Sequence, residues 1–280
     1  MNSLADTQPI QSKAIRPVLK FSKSRVISYS LSAVSLVFSL VFWQLASQHH
    51  LNLGLINFAN VPSPREVIQS LIAFAELDTA LAHVKASIAR VLIGFLLASV
   101  IGVILGLLIG YSKTLAALLM PPLEILRPIP AVAWIPLAIL MFPSSEASMI
   151  FITFLGALFP ILLNTIHGVE GVDQRLIASA KSLGAGQFGI LREVIIPGSL
   201  PSITTGLAIG MGTCWFCLVT AEMISGQLGI GYFTWESFTL QNYADIIVGM
   251  LLIGALGMFS SAFLRYLGKK LTPWYQLRKA

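Results

Sequence analysis

The sequence VLIGFLLASVIGVILGLLIGYS, at residues 91–112, is 22 residues long and contains no Asp, Glu, Lys or Arg. The hydrocarbon core of a bilayer is about 30 Å thick, and an α-helix needs about 20 apolar residues to cross it. This stretch therefore predicts a transmembrane helix, and it sets the standard for finding others along the chain.

Five further apolar stretches reach a similar length, so the predicted fold class is all-α, a polytopic membrane protein with about six transmembrane helices. They cover residues 26–47, 123–142, 149–167, 202–225 and 246–264. The stretch at 123–142 differs from the others because Glu124, Arg127 and several prolines interrupt it. Prolines break hydrogen bonds inside a helix, so the limits of this span are less sharply defined.

The composition indicates the same class and excludes others. Hydrophobic residues make up 56% of the chain and charged residues 11%, with a mean hydropathy of +0.82. Soluble domains carry about 25% charged residues, so this chain has too few charges to cover a surface that faces water. Disordered, collagen-like and nucleic-acid-binding chains are excluded by the same figures, and membrane lipid is the expected surrounding.

The net charge of +6 reports orientation, because the basic residues gather at the chain ends and between the apolar stretches. Lys and Arg accumulate on the cytoplasmic side of membrane proteins. A cytoplasmic N-terminus places fourteen of the 18 basic residues inside and only Arg65, Lys85 and Arg90 outside, with Arg127 in a span. The first apolar stretch is too long for a cleaved signal peptide and predicts a retained anchor.

The predicted organisation is a cytoplasmic tail at residues 1–25, a transmembrane domain at 26–270 and a cytoplasmic tail at 271–280. Two connections between spans are long. The outer one, at 48–90, contains Pro62-Ser63-Pro64, and the apolar residues that follow predict an amphipathic surface helix. They are Val67, Ile68, Leu71 and Ile72.

The inner connection, at residues 168–201, predicts a second short helix. Asp173 can cap its start, and Gly184 can end it. Leu176, Ala180 and Leu183 then share one side. Such a helix either docks in a groove of a soluble partner or lies in the lipid interface, and periodicity favours neither.

The same connection carries a motif. Ala178-Ser179-Ala180 is followed after three residues by Gly184, and after nine more by Val194-Ile195-Ile196-Pro197. This resembles the EAA loop of ABC-importer permeases, which reads Glu-Ala-Ala, three residues, Gly, nine residues, then Ile, any residue, Leu and Pro. Here Ala178 replaces the glutamate and Ser179 the first alanine. The resemblance implies that a partner ATPase contacts a set of loop residues: Ala178, Ser179, Ala180, Lys181, Gly184 and Pro197.

Further segments look like the permeases for alkanesulfonates, taurine, nitrate and bicarbonate. They are RPIPAVAWIPL at residues 127–137, FPILLNT at 159–165, and AEM at 221–223 followed by Gly229-Ile230-Gly231. The resemblance covers roughly residues 35–275 and implies a type I ABC importer permease in a bacterial plasma membrane. It also implies a second permease subunit, as a homodimer or a mixed pair, two cytoplasmic ATPases, and a periplasmic or lipid-anchored solute-binding protein.

Ionisable residues inside a membrane cost about 2.5 to 3.5 kcal/mol each on insertion scales, so each is a functional candidate. Arg127 can supply positive potential to the path of a small anion. Neighbouring backbone amides, which the prolines release from helical hydrogen bonds, can assist it. Alternatively it pairs with Glu124, three residues earlier, or extends its charge towards the interface. Glu222 can gate or orient the cargo, or it can be a hydrogen-bonded carboxylate at a helix end.

Three uncharged residues complete the candidates for the translocation path. Asn164 and Thr165 can line its exit, or they can serve as hydrogen-bonding groups where the fourth span ends. Trp134 can contact the cargo or pack in the core. The resulting hypothesis is inward transport of a small oxyanion by alternating access. Sulfonate or taurine is preferred over nitrate or bicarbonate.

The sequence contains no phosphate-binding Gly-x-x-x-x-Gly-Lys-Ser/Thr loop and no metal-ligand or nucleophile motif. It therefore predicts a non-catalytic subunit without cofactor or metal. Cys214 and Cys217 form a C-x-x-C pair, which is either a redox or metal pair or small packing groups on one helix face. The alternatives to an importer are a secondary transporter and a non-transporting assembly protein.

Overall fold

The computed structural model describes residues 23–52, 54 and 57–276, in two units divided between Ala59 and Asn60. In the first unit, helix α1 (Lys23–Gln48) exposes large apolar side chains between Leu31 and Leu45, and the rings of Phe42 and Phe58 meet edge to face at 6.4 Å. Its length and composition suit a membrane span, as the sequence predicts. The predicted tails lie outside the described residues at 1–22 and 277–280.

The described part of the second unit consists of helices and their connections. The helices are α2 (Pro64–Glu76), α3 (Ala80–Tyr111), α4 (Lys113–Leu126), α5 (Ile135–Met141), α6 (Ser145–Glu170), α7 (Gln174–Ser182), α8 (Gln187–Ile190), α9 (Ile196–Ser225), α10 (Ile230–Thr239), α11 (Tyr243–Leu271) and α12 (Pro273–Gln276). A 3-10 turn at Ala131–Trp134 leads into α5, and a π-helical segment at Leu191–Ile195 joins α8 to α9. The predicted all-α class is confirmed.

The core forms where α6 packs between α3 and α9. Glycines and small side chains on these helices allow a close approach. A Cβ added at Gly106 of α3 would lie 2.5 Å from the Cβ of Thr165, and one at Gly156 of α6 would lie 2.6 Å from the Sγ of Cys217. Small residues at helix contacts are the usual basis of packing inside membranes, where no hydrophobic force drives helices together.

The three core helices define two ends of the second unit. At the first, which we call the α7 end, α3 and α6 finish and α9 begins; α11 also finishes there, with Gly268 against Thr204. At the second, which we call the opposite end, α3 and α6 begin and α9 finishes. Helix α2 and helix α10 lie at the opposite end, where the rings of Phe74 and Phe233 are 4.7 Å apart.

The third predicted span is interrupted, as its prolines indicate, and it begins earlier than residue 123. The chain forms two helical pieces, Lys113–Leu126 and Ala131–Met141, which meet at an angle of 80°. Pro128 and Pro130 lie at the break, and Pro130 is extended, with ψ of 137°. Proline has no N–H to donate and its ring clashes with the preceding turn, which ends α4 here.

Other boundaries also move. Helix α3 begins eleven residues before the predicted start at residue 91, so Lys85 and Arg90 are helical rather than in a loop. The helical run that contains α9 is continuous from Gln187 to Ser225, so the final part of the predicted inner loop belongs to a long helix. The remaining connection is short and carries α7.

The amphipathic helix predicted after Pro64 is confirmed as α2. Its start is fixed by a capping box in which Ser63 accepts from the N–H of Glu66 and the Glu66 carboxylate accepts from the N–H of Ser63. Val67 and Phe74 are buried, whereas Ile68 and Ile72 are exposed. An apolar exposed face at the end of a membrane bundle suits the lipid interface.

Candidate functional site: the α7 loop and a buried charge cluster

Helix α7 is held in shape by local hydrogen bonds at both ends. The Asp173 side chain accepts from the N–H of Arg175 at 2.9 Å. At the other end Gly184, with φ of +84°, donates to Lys181 O at 3.0 Å, while the N–H of Ala185 donates to Ala180 O at 3.0 Å. This pair of bonds is a Schellman motif, which requires a left-handed residue and therefore favours glycine. The predicted cap and stop residues are confirmed.

One side of α7 is fastened to the core and the other is open. Ile177 and Ala180 are half-buried and pack against a small cluster formed by Val169, Ile190 and Ile195. Leu176 is exposed, and Leu183 is 88% exposed. The three residues predicted to share one side of α7 are therefore not equivalent, because Ala180 packs against the core whereas Leu176 and Leu183 are exposed. Exposed leucines on a capped helix form an apolar surface that a partner can cover.

The long helix that follows α7 changes its pitch before Pro197. The N–H of Ile196 donates to Leu191 O, a π-helical bond, and Pro197 then occupies the first turn of α9. Proline cannot donate to the carbonyl four residues earlier, and a widened turn accommodates its ring. A cavity of about 560 Å³ lies between α7 and the ends of α3 and α6, lined in part by Lys113, Glu170 and Lys181.

A buried cluster of charges lies at the opposite end of the core. Arg90 of α3 is 3% exposed, and its guanidinium donates to both Glu146 of α6 and Glu222 of α9. Its Nε is 2.8 Å from Glu146 Oε2, and its Nη1 is 2.8 Å from Glu222 Oε1. Nη1 also donates to the carbonyl of Leu228 at 2.5 Å. One side chain thus connects three core helices and the loop after α9.

Glu222 is 0% exposed, and its carboxylate is fully hydrogen-bonded. It accepts from Ser87 Oγ at 2.8 Å and from the N–H of Gly231 at 2.9 Å, in addition to Arg90. Gly229, with φ of +138°, passes so close that a Cβ there would collide with the carboxylate. A buried carboxylate is tolerable only with such partners. The cluster therefore fixes the glycine-rich turn between α9 and α10.

His83 adds a second link to the same turn. Its Nδ1 is 2.9 Å from the carbonyl oxygen of Gly229 and 3.1 Å from the nitrogen of that residue, so the ring tautomer decides which bond forms. Sequence reasoning missed His83, Ser87, Arg90 and Glu146. The prediction that Arg90 lies in the outer connection is wrong, because the residue lies in α3 and is buried.

Arg127 occupies the break between α4 and α5. It is the C-cap residue of α4 and its side chain is exposed. The alternative pairing with Glu124 does not form in this structure, where both side chains are exposed and the described ion pairs involve Arg90. Beside the break lies an apolar cavity of about 180 Å³, lined by Ile129, Trp134, Phe151 and neighbouring residues.

Of the other path candidates, only Trp134 lies in the same region as Arg127. Thr165 is fully buried against α3, and its hydroxyl donates to Ile161 O at 2.8 Å within α6. Asn164 is half-buried and donates to Pro160 O at 2.8 Å. Trp134 is half-buried at the apolar cavity, and Glu222 belongs to the charge cluster. The structure therefore places the five candidates in three separate regions.

Cys214 and Cys217 lie in the core of α9. Both are free and buried. The Sγ of Cys214 approaches the carbonyls of Val91 and Thr153 at 3.8 and 3.7 Å, and Cys217 contacts Gly156. Their surroundings are those of small polarizable packing groups.

These features define a polytopic helical membrane protein with a capped, apolar-faced helix at one end. Five described helices are long and apolar enough to cross a membrane, and the bent pair adds a sixth if it forms one span. Comparison with known proteins then gives the family. The chain belongs to the binding-protein-dependent transport system inner membrane components, which match residues 98–275.

Full-length relatives carry related names. The chain is 40% identical to a putative ABC transporter permease of Methanocaldococcus jannaschii, over 92% of this chain and 95% of that one. It is 33% identical to the nitrate import permease of Synechocystis sp., over 86% and 88%. It is 32% identical to the taurine transport system permease of Escherichia coli, over 90% and 91%.

A solved structure of the inward-facing MetNI methionine ABC transporter shares the fold, with a TM-score of 0.53 at 19% identity over 69% of this chain and 94% of that one. The chain is therefore a multi-pass inner-membrane permease subunit of an ABC importer and is not catalytic. This confirms the family that the loop motif predicts, and it decides against the secondary transporter and the assembly protein.

Proposed function

We propose that the chain is one of two paired permease subunits that import a small oxyanion by alternating access, driven by two cytoplasmic ATPases that dock on α7. The observation that carries this proposal is α7 itself. It is capped at both ends, attached by Ile177 to the core helices, and open through Leu176 and Leu183. A rigid element fixed on one face can transmit a displacement of its other face to the bundle.

The distribution of charge supports an orientation with the α7 end in the cytoplasm. Seven described Lys and Arg lie at that end: Lys113, Arg175, Lys181, Arg192, Arg265, Lys269 and Lys270. The opposite end has Arg65, Lys85 and Arg90, and Arg90 is neutralised by its two glutamates. Basic residues favour the cytoplasmic side. Both termini are then cytoplasmic, with the tails at 1–25 and 271–280, and a solute-binding protein delivers cargo at the opposite end.

The class of cargo is supported by the relatives and by one residue. Relatives are named for nitrate, taurine, aliphatic sulfonates and bicarbonate, which share a small anionic group. Arg127 directly follows Leu126, which lines a cavity together with Leu155 and Phe159 in the middle of α6, so it brings positive charge to a point between the two ends. Backbone broken by prolines is tolerated at membrane depth where it lines a cavity. Sulfonate or taurine is the preferred cargo.

Replacing Arg127 with Gln is expected to lower anion uptake about tenfold, mainly through a higher KM, because a positive cleft concentrates an anionic substrate by at least that factor. The measurement is ATP-driven uptake of taurine and of nitrate into proteoliposomes that hold the complete importer. Arg65→Gln is the matched control, since Arg65 is also exposed but lies in α2. Unchanged uptake in Arg127→Gln, or an equal loss in both variants, would remove Arg127 from the path.

A further inference from the structure

A second basic site lies at the α7 end, between the first turns of α9 and the last turns of α11. Gly268 makes it possible, because a Cβ there would lie 2.8 Å from the Cβ of Thr204 and the two helices are correspondingly close. Beside this contact the two helices line an open cavity of about 350 Å³. Its walls are Pro201, Thr204, Thr205, Arg265, Gly268, Lys269, Thr272 and Tyr275.

The lining combines cations with hydroxyl oxygens that accept hydrogen bonds. Arg265 and Lys269 are four residues apart on α11, one turn of helix, and none of the described residues that line the cavity is Asp or Glu. Within the described residues, Arg265 has no carboxylate partner. The hydroxyls of Thr204 and Thr205 donate to Pro201 O at 3.0 and 2.8 Å, so their oxygens remain as acceptors. The cavity therefore suits a ligand with an anionic group and hydroxyl donors of its own.

The cavity lies at the last turns of α11, at the end of a helix that is long and apolar enough to cross a membrane. Met258, Ala262, Arg265 and Lys269 follow each other at spacings of four, three and four residues, so they share one face of α11. Met258 is 61% exposed and Ala262 is also exposed. Exposed Tyr266 follows Arg265 in α11 and exposed Trp274 lies in α12, which comes directly after α11; aromatic residues are enriched at membrane interfaces.

We infer that this cavity binds the headgroup of an anionic phospholipid of the phosphatidylglycerol type. The phosphate lies between Arg265 and Lys269, the glycerol hydroxyls donate to the threonine oxygens, and an acyl chain runs along Met258 and Ala262. Basic pockets between transmembrane helices on the cytoplasmic side hold such headgroups. The lipid then fastens the end of α11 to the start of α9, the helix that continues from the α7 loop.

Native mass spectrometry of the purified full chain tests this site, with phosphatidylglycerol and phosphatidylcholine of equal acyl chains offered at equal concentration. The wild type is expected to retain phosphatidylglycerol preferentially. Arg265→Gln and Lys269→Gln are each expected to weaken that binding about fivefold, the usual effect of one basic residue at a lipid headgroup. Lys270→Gln is the matched control, because it removes the same charge one residue from the cavity lining.

Three results would overturn the inference. Equal retention of phosphatidylcholine would show that the negative charge of the headgroup does not contribute to binding. An equal loss in Lys270→Gln would show general attraction to the basic end of α11. Displacement of the lipid by millimolar inorganic phosphate would assign the cavity to the free anion. Because the measurement needs neither ATPase nor cargo, its failure leaves the proposed function standing.

Discussion

Arg90→Met is expected to lower the free energy of unfolding of the chain by about 3–5 kcal/mol, the cost of breaking a buried ion pair by removing one partner. Arg90 is 3% exposed and Glu222 is 0% exposed, so the substitution leaves a carboxylate in the core without its cation. Ser87 and the N–H of Gly231 still donate to it, but neither carries charge. The loss is measured as thermal unfolding of the chain in detergent.

Two further variants distinguish the contribution of the buried Arg90–Glu222 ion pair from that of the partly exposed Arg90–Glu146 ion pair. Glu146→Gln is the control, because the Glu146 side chain is 61% exposed and its ion pair is worth about 1 kcal/mol or less in water. The double variant Arg90→Met with Glu222→Met removes both buried charges and is expected to recover most of the lost stability. A small effect of Arg90→Met, similar to that of Glu146→Gln, would contradict the role of the cluster.

Gly184→Val is expected to reduce uptake to less than a tenth while the complex still hydrolyses ATP. Gly184 has φ of +84°, a conformation that costs a β-branched residue about 1–2 kcal/mol or more. Apart from the two chain neighbours, no atom of the described residues lies within 4 Å of a Cβ added there, so the expected effect comes from the backbone. Relaxing that backbone breaks the Schellman bonds and moves Leu183, which we assign to the ATPase contact.

The matched control is Gly186→Val. Gly186 is also exposed and open around its Cβ, but its φ of −70° and ψ of 167° suit valine. Uptake and ATP hydrolysis are measured on the same proteoliposome preparations, with and without the loaded binding protein. Normal uptake in Gly184→Val, or an equal loss in Gly186→Val, would contradict a coupling role for the end of α7.

Much of the fold follows from local sequence. The length of apolar stretches predicts α1, α3, α6, α9 and α11, because a membrane span needs only about 20 apolar residues in series. The caps of α2 and α7 follow from residues a few positions apart. The bent pair α4 and α5 is only partly visible in the sequence, because prolines show that a helix is interrupted but not the direction in which the chain continues.

The charge cluster could not be predicted in the same way. Its partners are 56 and 132 residues from Arg90 in sequence, so no local pattern joins them. One local signal was available. His83, Ser87 and Arg90 are spaced by four and three residues, and the same face of α3 continues as Gly94 and Ala98. Polar residues in line with the small residues of a span indicate a buried face and not a loop.

The central claim is that α7 contacts an ATPase, and site-directed cross-linking tests it most directly. A photoreactive maleimide is attached to Leu183→Cys in a chain with Cys214→Ala and Cys217→Ala, and the complete importer is irradiated in membranes. Trp235→Cys in α10 is the control at the opposite end, because its side chain is also exposed. We expect the ATPase to be captured from Leu183→Cys and not from Trp235→Cys. Capture of lipid alone at Leu183→Cys, or of the ATPase from Trp235→Cys, would contradict the account.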